Sequence, residues 1–137
     1  MSRLGFLLAL LGFLPVIGCG GPLTTRLPVK GNITFKGQPL AHGNIQFLTT
    51  QGAPGPAAGA MVKEGKYEIP QLQGLDPGTY KVIISCTEEM KVPPKGWKAT
   101  SLPTKELLPP EFSSHEKSKN KINVTKDGDN KFDFSIP

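Results

Sequence analysis

From Leu27 onward apolar and polar residues alternate along most of the chain, and before it they do not alternate at all. Leu27, Val29, Gly31, Ile33 and Phe35 stand between Pro28, Lys30, Asn32, Thr34 and Lys36. Period two sends successive side chains to opposite faces, so this stretch predicts a strand buried on one side. Lys36-Gly37-Gln38-Pro39 interrupts it, and Ile45 and Phe47 between Asn44 and Gln46 predict a second strand. The Gly- and Pro-rich run "QGAPGPAAG" reads as a loop. Residues 58–62 predict a third strand, turned through Lys63-Glu64-Gly65 into a fourth with Tyr67 and Ile69 inward and Lys66 and Glu68 outward, a hairpin. "PQLQGLDPGTY" leads into the most apolar strand, residues 79–87, whose "VII" predicts a central position covered on both sides. At the end Ile122 and Val124, then Phe132, Phe134 and Ile136, alternate with polar residues around Asp127-Gly128-Asp129-Asn130, which predicts a closing hairpin.

The first residues follow another pattern. Arg3 precedes an uninterrupted apolar run from Leu4, ended by Pro15 and by Gly18, Gly20 and Gly21. A positive start, an apolar middle and a small-residue exit make a secretory signal over residues 1–18. A membrane span needs about 20 apolar residues, and this run is shorter. A buried helix would show a polar face and find a second helix to pack against, and neither is present. At the exit Val16-Ile17-Gly18-Cys19 resembles the lipobox of bacterial lipoproteins, with Ile17 bulkier than the commonest residue there. That resemblance implies cleavage after Gly18 and a diacylglyceryl group on the Cys19 sulfur. Two or more acyl chains anchor a protein stably where one holds it marginally. The alternative is an ordinary secretion signal with an incidental cysteine. Residues 19–26 then serve as the lipidated cysteine and tether, and residues 27–137 as one folded domain.

Composition narrows the class. The net charge of +5 falls to +4 when Arg3 leaves with the signal, and the lysines are scattered along the sequence. Nucleic-acid binding would call for a clustered stripe and a recognisable motif, so no nucleic-acid partner is expected. Gly and Pro are abundant and no helical periodicity follows the signal, which predicts an all-β domain. Seven strands with one face buried pack most simply as a two-sheet antiparallel sandwich. In "TYKVIISCTE" Tyr80, Val82, Ile84 and Cys86 share a face, so Cys86 reads as a small buried hydrophobe. With Cys19 lipidated, Cys86 has no disulfide partner in the chain.

Two longer stretches resemble a known domain family. "VKGNITFKGQPLAHGNIQF" resembles the opening of carboxypeptidase-regulatory-like, or transthyretin-like, domains, and "GKYEIPQLQGLDPGTYKVII" resembles their second signature, with Leu-x-Pro-Gly-x-Tyr entering a central strand. "LLPPEF" and "INVTKDGDNKFDFSI" resemble the ending of short envelope lipoproteins built of a signal, a lipobox and one such domain. The resemblance implies an immunoglobulin-like or transthyretin-like (prealbumin-like) sandwich and supplies no catalytic residues. The bottom-up reading agrees that Pro77-Gly78 makes a turn and that the Tyr80 hydroxyl bonds back to loop backbone, as in a tyrosine corner.

Candidate chemistry is sparse. His42 and His115 have no second ligand at metal spacing. Asp127, Asp129 and Asp133 lack the order and terminal glutamate of an EF-hand, and hairpin turns use the same residues. Asn32-Ile33-Thr34 and Asn123-Val124-Thr125 match the glycosylation pattern but lie in strands. No nucleophile or phosphate-loop motif occurs, so neither an enzyme nor a cofactor is expected. Residues 88–120 form a long Pro- and Lys-rich loop holding Trp97. In one reading Trp97 stacks on a sugar ring or partner while Lys91, Lys95 and Lys98 meet anionic groups. In the other, which we favour, Trp97, Leu107, Leu108 and Phe112 fold over the open face of the domain. The expected protein is exported, held at the cell envelope by its lipid, and works as a non-catalytic structural or protein-binding module. A carbohydrate-binding module of the envelope is the alternative, and a transthyretin-like hydrolase the third, since its histidine-rich site is missing.

Overall fold

The computed structural model describes residues 25–50, 57–89, 95–96, 98 and 103–137. Cys19, Trp97 and the N-terminal apolar run lie outside them. The chain is all-β: β1 (Val29–Phe35), β2 (Gln38–Pro39), β3 (His42–Thr49), β4 (Ala58–Lys63), β5 (Lys66–Ile69), β6 (Gly78–Ser85), β7 (Thr87–Glu89), β8 (Thr104–Glu106), a short helix α1 (Pro110–Ser113), β9 (Lys121–Val124) and β10 (Phe134–Ile136). One curled sheet runs β10-β1-β5-β4-β3-β6-β9 with β2 added to β1, and β7-β8 form a separate pair.

Two hairpins have a local cause. Phe35 pairs with Gln38 across Lys36 and Gly37, and Lys63 pairs with Lys66 across Glu64 and Gly65. All four turn residues have positive φ, between 49° and 78°, the twist that matches flanking strands. Beyond Lys63 and Lys66, however, β4 and β5 part. β5 continues along β1, and β4 continues along β3. The sheet therefore has two limbs, β10-β1-β5 and β4-β3-β6-β9, and both send side chains into one cluster that includes Val29, Ile33, Phe47, Tyr67, Tyr80, Val82, Ile84 and Ile136. β6 lies between β3 and β9 and buries Ile83 as well as Val82 and Ile84, the central position its sequence predicts. The Tyr80 hydroxyl donates to the Asp76 carbonyl at 2.9 Å, the predicted bond.

Two expectations are overturned. The closing hairpin does not form: β9 pairs with β6, and β10 pairs in parallel with β1 at the other end of the strand order. Asn130 is the reason. Its side chain donates to the Thr125 carbonyl at 2.9 Å and accepts from the Thr125 amide at 3.0 Å, taking the bonds a partner strand would have made. The Asn130 carbonyl then accepts from Lys30, and the Phe132 amide donates to Lys30, which hands the chain to β1. The second correction concerns residues 88–120, which are not simply a loop. Glu106 accepts from the Cys86 amide at 3.0 Å and, in the same geometry, from its own chain's Leu107 and Leu108 amides. With the Ser85 hydroxyl on its other oxygen at 2.7 Å, this pins β7 to β8. Leu108 is buried and Phe112 packs on the core, as expected, while Leu107 is exposed.

Candidate functional site

Of the residues singled out in the sequence, Cys19 and Trp97 fall outside the described residues, and Lys95 and Lys98 are exposed around a turn at Gly96. The structure instead gathers chemistry in two other places.

The first surrounds Cys86. Its sulfur lies 3.9 Å from His42 Nε2, a proximity hidden by a separation of 44 residues. A cysteine beside a histidine suggests a nucleophile, which requires a thiolate. Burial, then the Glu106 and Glu88 carboxylates, push the Cys86 thiol up from its ordinary value, so the environment holds it protonated. The Glu106 bonds go to backbone and to Ser85, not to His42. The Glu106 bonds hold the ends of β6, β7 and β8 together at Cys86. Asp133, one of the carboxylates weighed for calcium, accepts from the Asn32 amide at 2.7 Å and from its side chain at 3.0 Å. The Asn32 amide bond foremost, with the Asn32 side chain and Lys131 adding, holds its carboxyl below the usual range against the opposing effect of desolvation. Among the described residues no group of three or more His, Cys, Asp or Glu stands close enough to hold a metal ion.

The second place is the parting of β4 and β5. A recess of about 450 Å³ opens there, lined by Met61 and Lys63 of β4, Lys66, Tyr67 and Glu68 of β5, Lys30, Gly31 and Asn32 of β1, and Lys131. Four lysines scattered in sequence thus share one concavity with a single carboxylate, Glu68. Lys131 also meets Asp133 at 3.7 Å. The floor is firm: Tyr67 donates to the Phe132 carbonyl at 2.7 Å, and burial, with Asp133 adding, pushes its phenol far above the ordinary range. Met61 is 67% exposed, one of the few large apolar side chains that face solvent. A smaller recess of about 250 Å³, lined by Asn44, Gln46, Gly59, Ala60 and Met61 among others, adjoins it. The sequence carried a partial signal, since Lys30 and Lys66 occupy outward positions of their alternations. What it lacked was the register that sets Lys30 opposite Glu68 and Asn32 opposite Lys66.

Comparison with protein families, with curated proteins and with solved structures gives no match for the chain.

Proposed function

We propose that the chain is a lipid-anchored envelope protein whose residues 27–137 act as a non-catalytic structural or protein-binding module with an immunoglobulin-like or transthyretin-like sandwich fold. For the address the support is Val16-Ile17-Gly18-Cys19 at the end of an apolar run behind Arg3. For the fold it is the pair of limbs that face one core, together with the Tyr80 to Asp76 bond beside Pro77-Gly78. The observation that carries the non-catalytic reading is the use made of the buried polar groups Asn130 and Ser118 and of half-buried Glu106. Asn130 and Ser118 are spent on backbone, the Ser118 hydroxyl donating to the Val82 carbonyl at 2.7 Å, and Glu106 is spent on backbone and Ser85. A catalytic group needs free lone pairs or protons aimed at a substrate.

The deciding measurement is the intact and N-terminal peptide mass of protein extracted from membranes, beside a Cys19→Ala variant. A diacylglyceryl or triacyl Cys19, with the variant released to the soluble fraction, is the expected result. An unmodified chain cut elsewhere, or a bridge from Cys19 to Cys86, would overturn the anchor.

A further inference from the structure

We infer that the parting of β4 and β5 is a docking site for an extended acidic peptide segment of a partner protein, which adds to the free edge of β4 as a strand. The inference deepens the binding-module reading and rests on it, naming the surface and the chemistry of the partner.

The first observation is a strand edge left open among the described residues. β4 pairs with β3 along its whole length and with β5 only at Lys63. From Ala58 to Val62 its other edge has no strand partner among the described residues. Strand edges left open in natural proteins are usually blunted by charge, proline or a bulge. Here the residues along the edge are Ala58, Gly59, Ala60, Met61 and Val62, with no charge until Lys63. Five residues of strand span about 16 Å, enough to pair a short extended segment. Such additions take their affinity from backbone hydrogen bonds and their specificity from alternate side chains.

The second observation fixes the chemistry of the occupant. The recess beside this edge is lined by Lys30, Lys63, Lys66 and Lys131 with Glu68, while Asp133 meets Lys131 and Asp129 lies with Lys30 and Glu68 at a neighbouring recess, so Lys63 and Lys66 keep the excess of positive charge. A second copy of this chain would bring lysine against lysine, which disfavours self-pairing. A segment alternating acidic with apolar residues places its carboxylates on the outward face, which Met61 shares with the lysines, and its apolar side chains on the inward face beside Ala58 and Ala60, because period two sends the two kinds to opposite faces.

The test uses full-length protein in neutral detergent and a short blocked peptide alternating glutamate with valine as the probe. Expected are saturable binding, slowed hydrogen exchange of amides in residues 58–62, and binding weakened by about tenfold or more in Lys63→Glu/Lys66→Glu. Both lysines are exposed, and circular dichroism checks that the variant folds. A peptide N-methylated at alternate residues keeps the charge but cannot complete a ladder, and loss of its binding is expected. Equal binding of the N-methylated and plain peptides would overturn strand addition. Absence of binding would overturn the site itself. If phosphatidylglycerol vesicles protect residues 58–62 and the peptide does not, the lysines serve lipid headgroups and the inference fails. The state of Cys19 is read separately by mass, so a failed anchor and a failed docking site give different results.

Discussion

Gly31 occupies a position where a methyl group would fall 1.8 Å from the Phe132 carbonyl oxygen and 2.8 Å from the Tyr67 hydroxyl. The close approach lets Tyr67 reach Phe132, so the glycine is required by packing and not by backbone conformation. Gly31→Ala should therefore cost about 2–3 kcal/mol, read as a lower urea midpoint, because backbone cannot yield as a flexible side chain would. Values near zero would show that β1 and the Phe132 segment separate freely. The two tyrosines offer a second check. Burial raises both phenols, with Asp133 adding at Tyr67 and Asp76 at Tyr80. Folding thus favours the protonated phenol, a contribution fully present below the ordinary value of 10.0 and lost as pH rises above it. Absorbance at the phenolate band should rise at higher pH in the folded chain than in the unfolded one, the Tyr67 phenolate later than free tyrosine. An ordinary titration in the folded protein would refute the buried placement.

Among the elements, those whose partners are close in sequence were the ones legible beforehand. The β4–β5 turn was written in Lys63-Glu64-Gly65, and β1, β3, β5 and β6 in their alternation, because period two and positive-φ turns are local properties. The β7–β8 pair was not, since nothing in "TEE" or "TKE" alternates. It depends on one glutamate reaching back 20 residues to Cys86. Glu106→Gln weakens the charge-assisted bonds to Cys86, Leu107 and Leu108, each worth about 1.5–3 kcal/mol when one partner is ionised. Faster exchange of the Leu107 and Leu108 amides, with β3 and β6 unchanged, is expected. The same substitution removes a carboxylate that raises the Cys86 thiol, so thiolate absorbance in a Cys19→Ala background should appear at lower pH. A thiol unmoved by the change would show that burial and Glu88 set it without Glu106.

At the scale of the whole molecule the last strand joins the first. β10 pairs with β1, and the Asn32 to Asp133 bond spans 101 residues. Ile136 is fully buried in the shared core, in register with Phe35 of β1. Ile136→Ala should cost about 2–5 kcal/mol, as for other large-to-small core changes. Deletion of residues 134–137 should abolish the cooperative unfolding transition altogether, since it uncovers the β1 edge and the core together. A truncated chain that still melts cooperatively would show that β10 is an accessory. The all-β character of residues 27–137, most of their buried positions and the β4–β5 turn followed from alternation and from glycine placement, which act between near neighbours. The route of the closing strand, the parting of β4 from β5 and the gathering of four lysines did not. Each depends on which distant backbones meet, and alternation records only the face a residue takes, never the strand beside it.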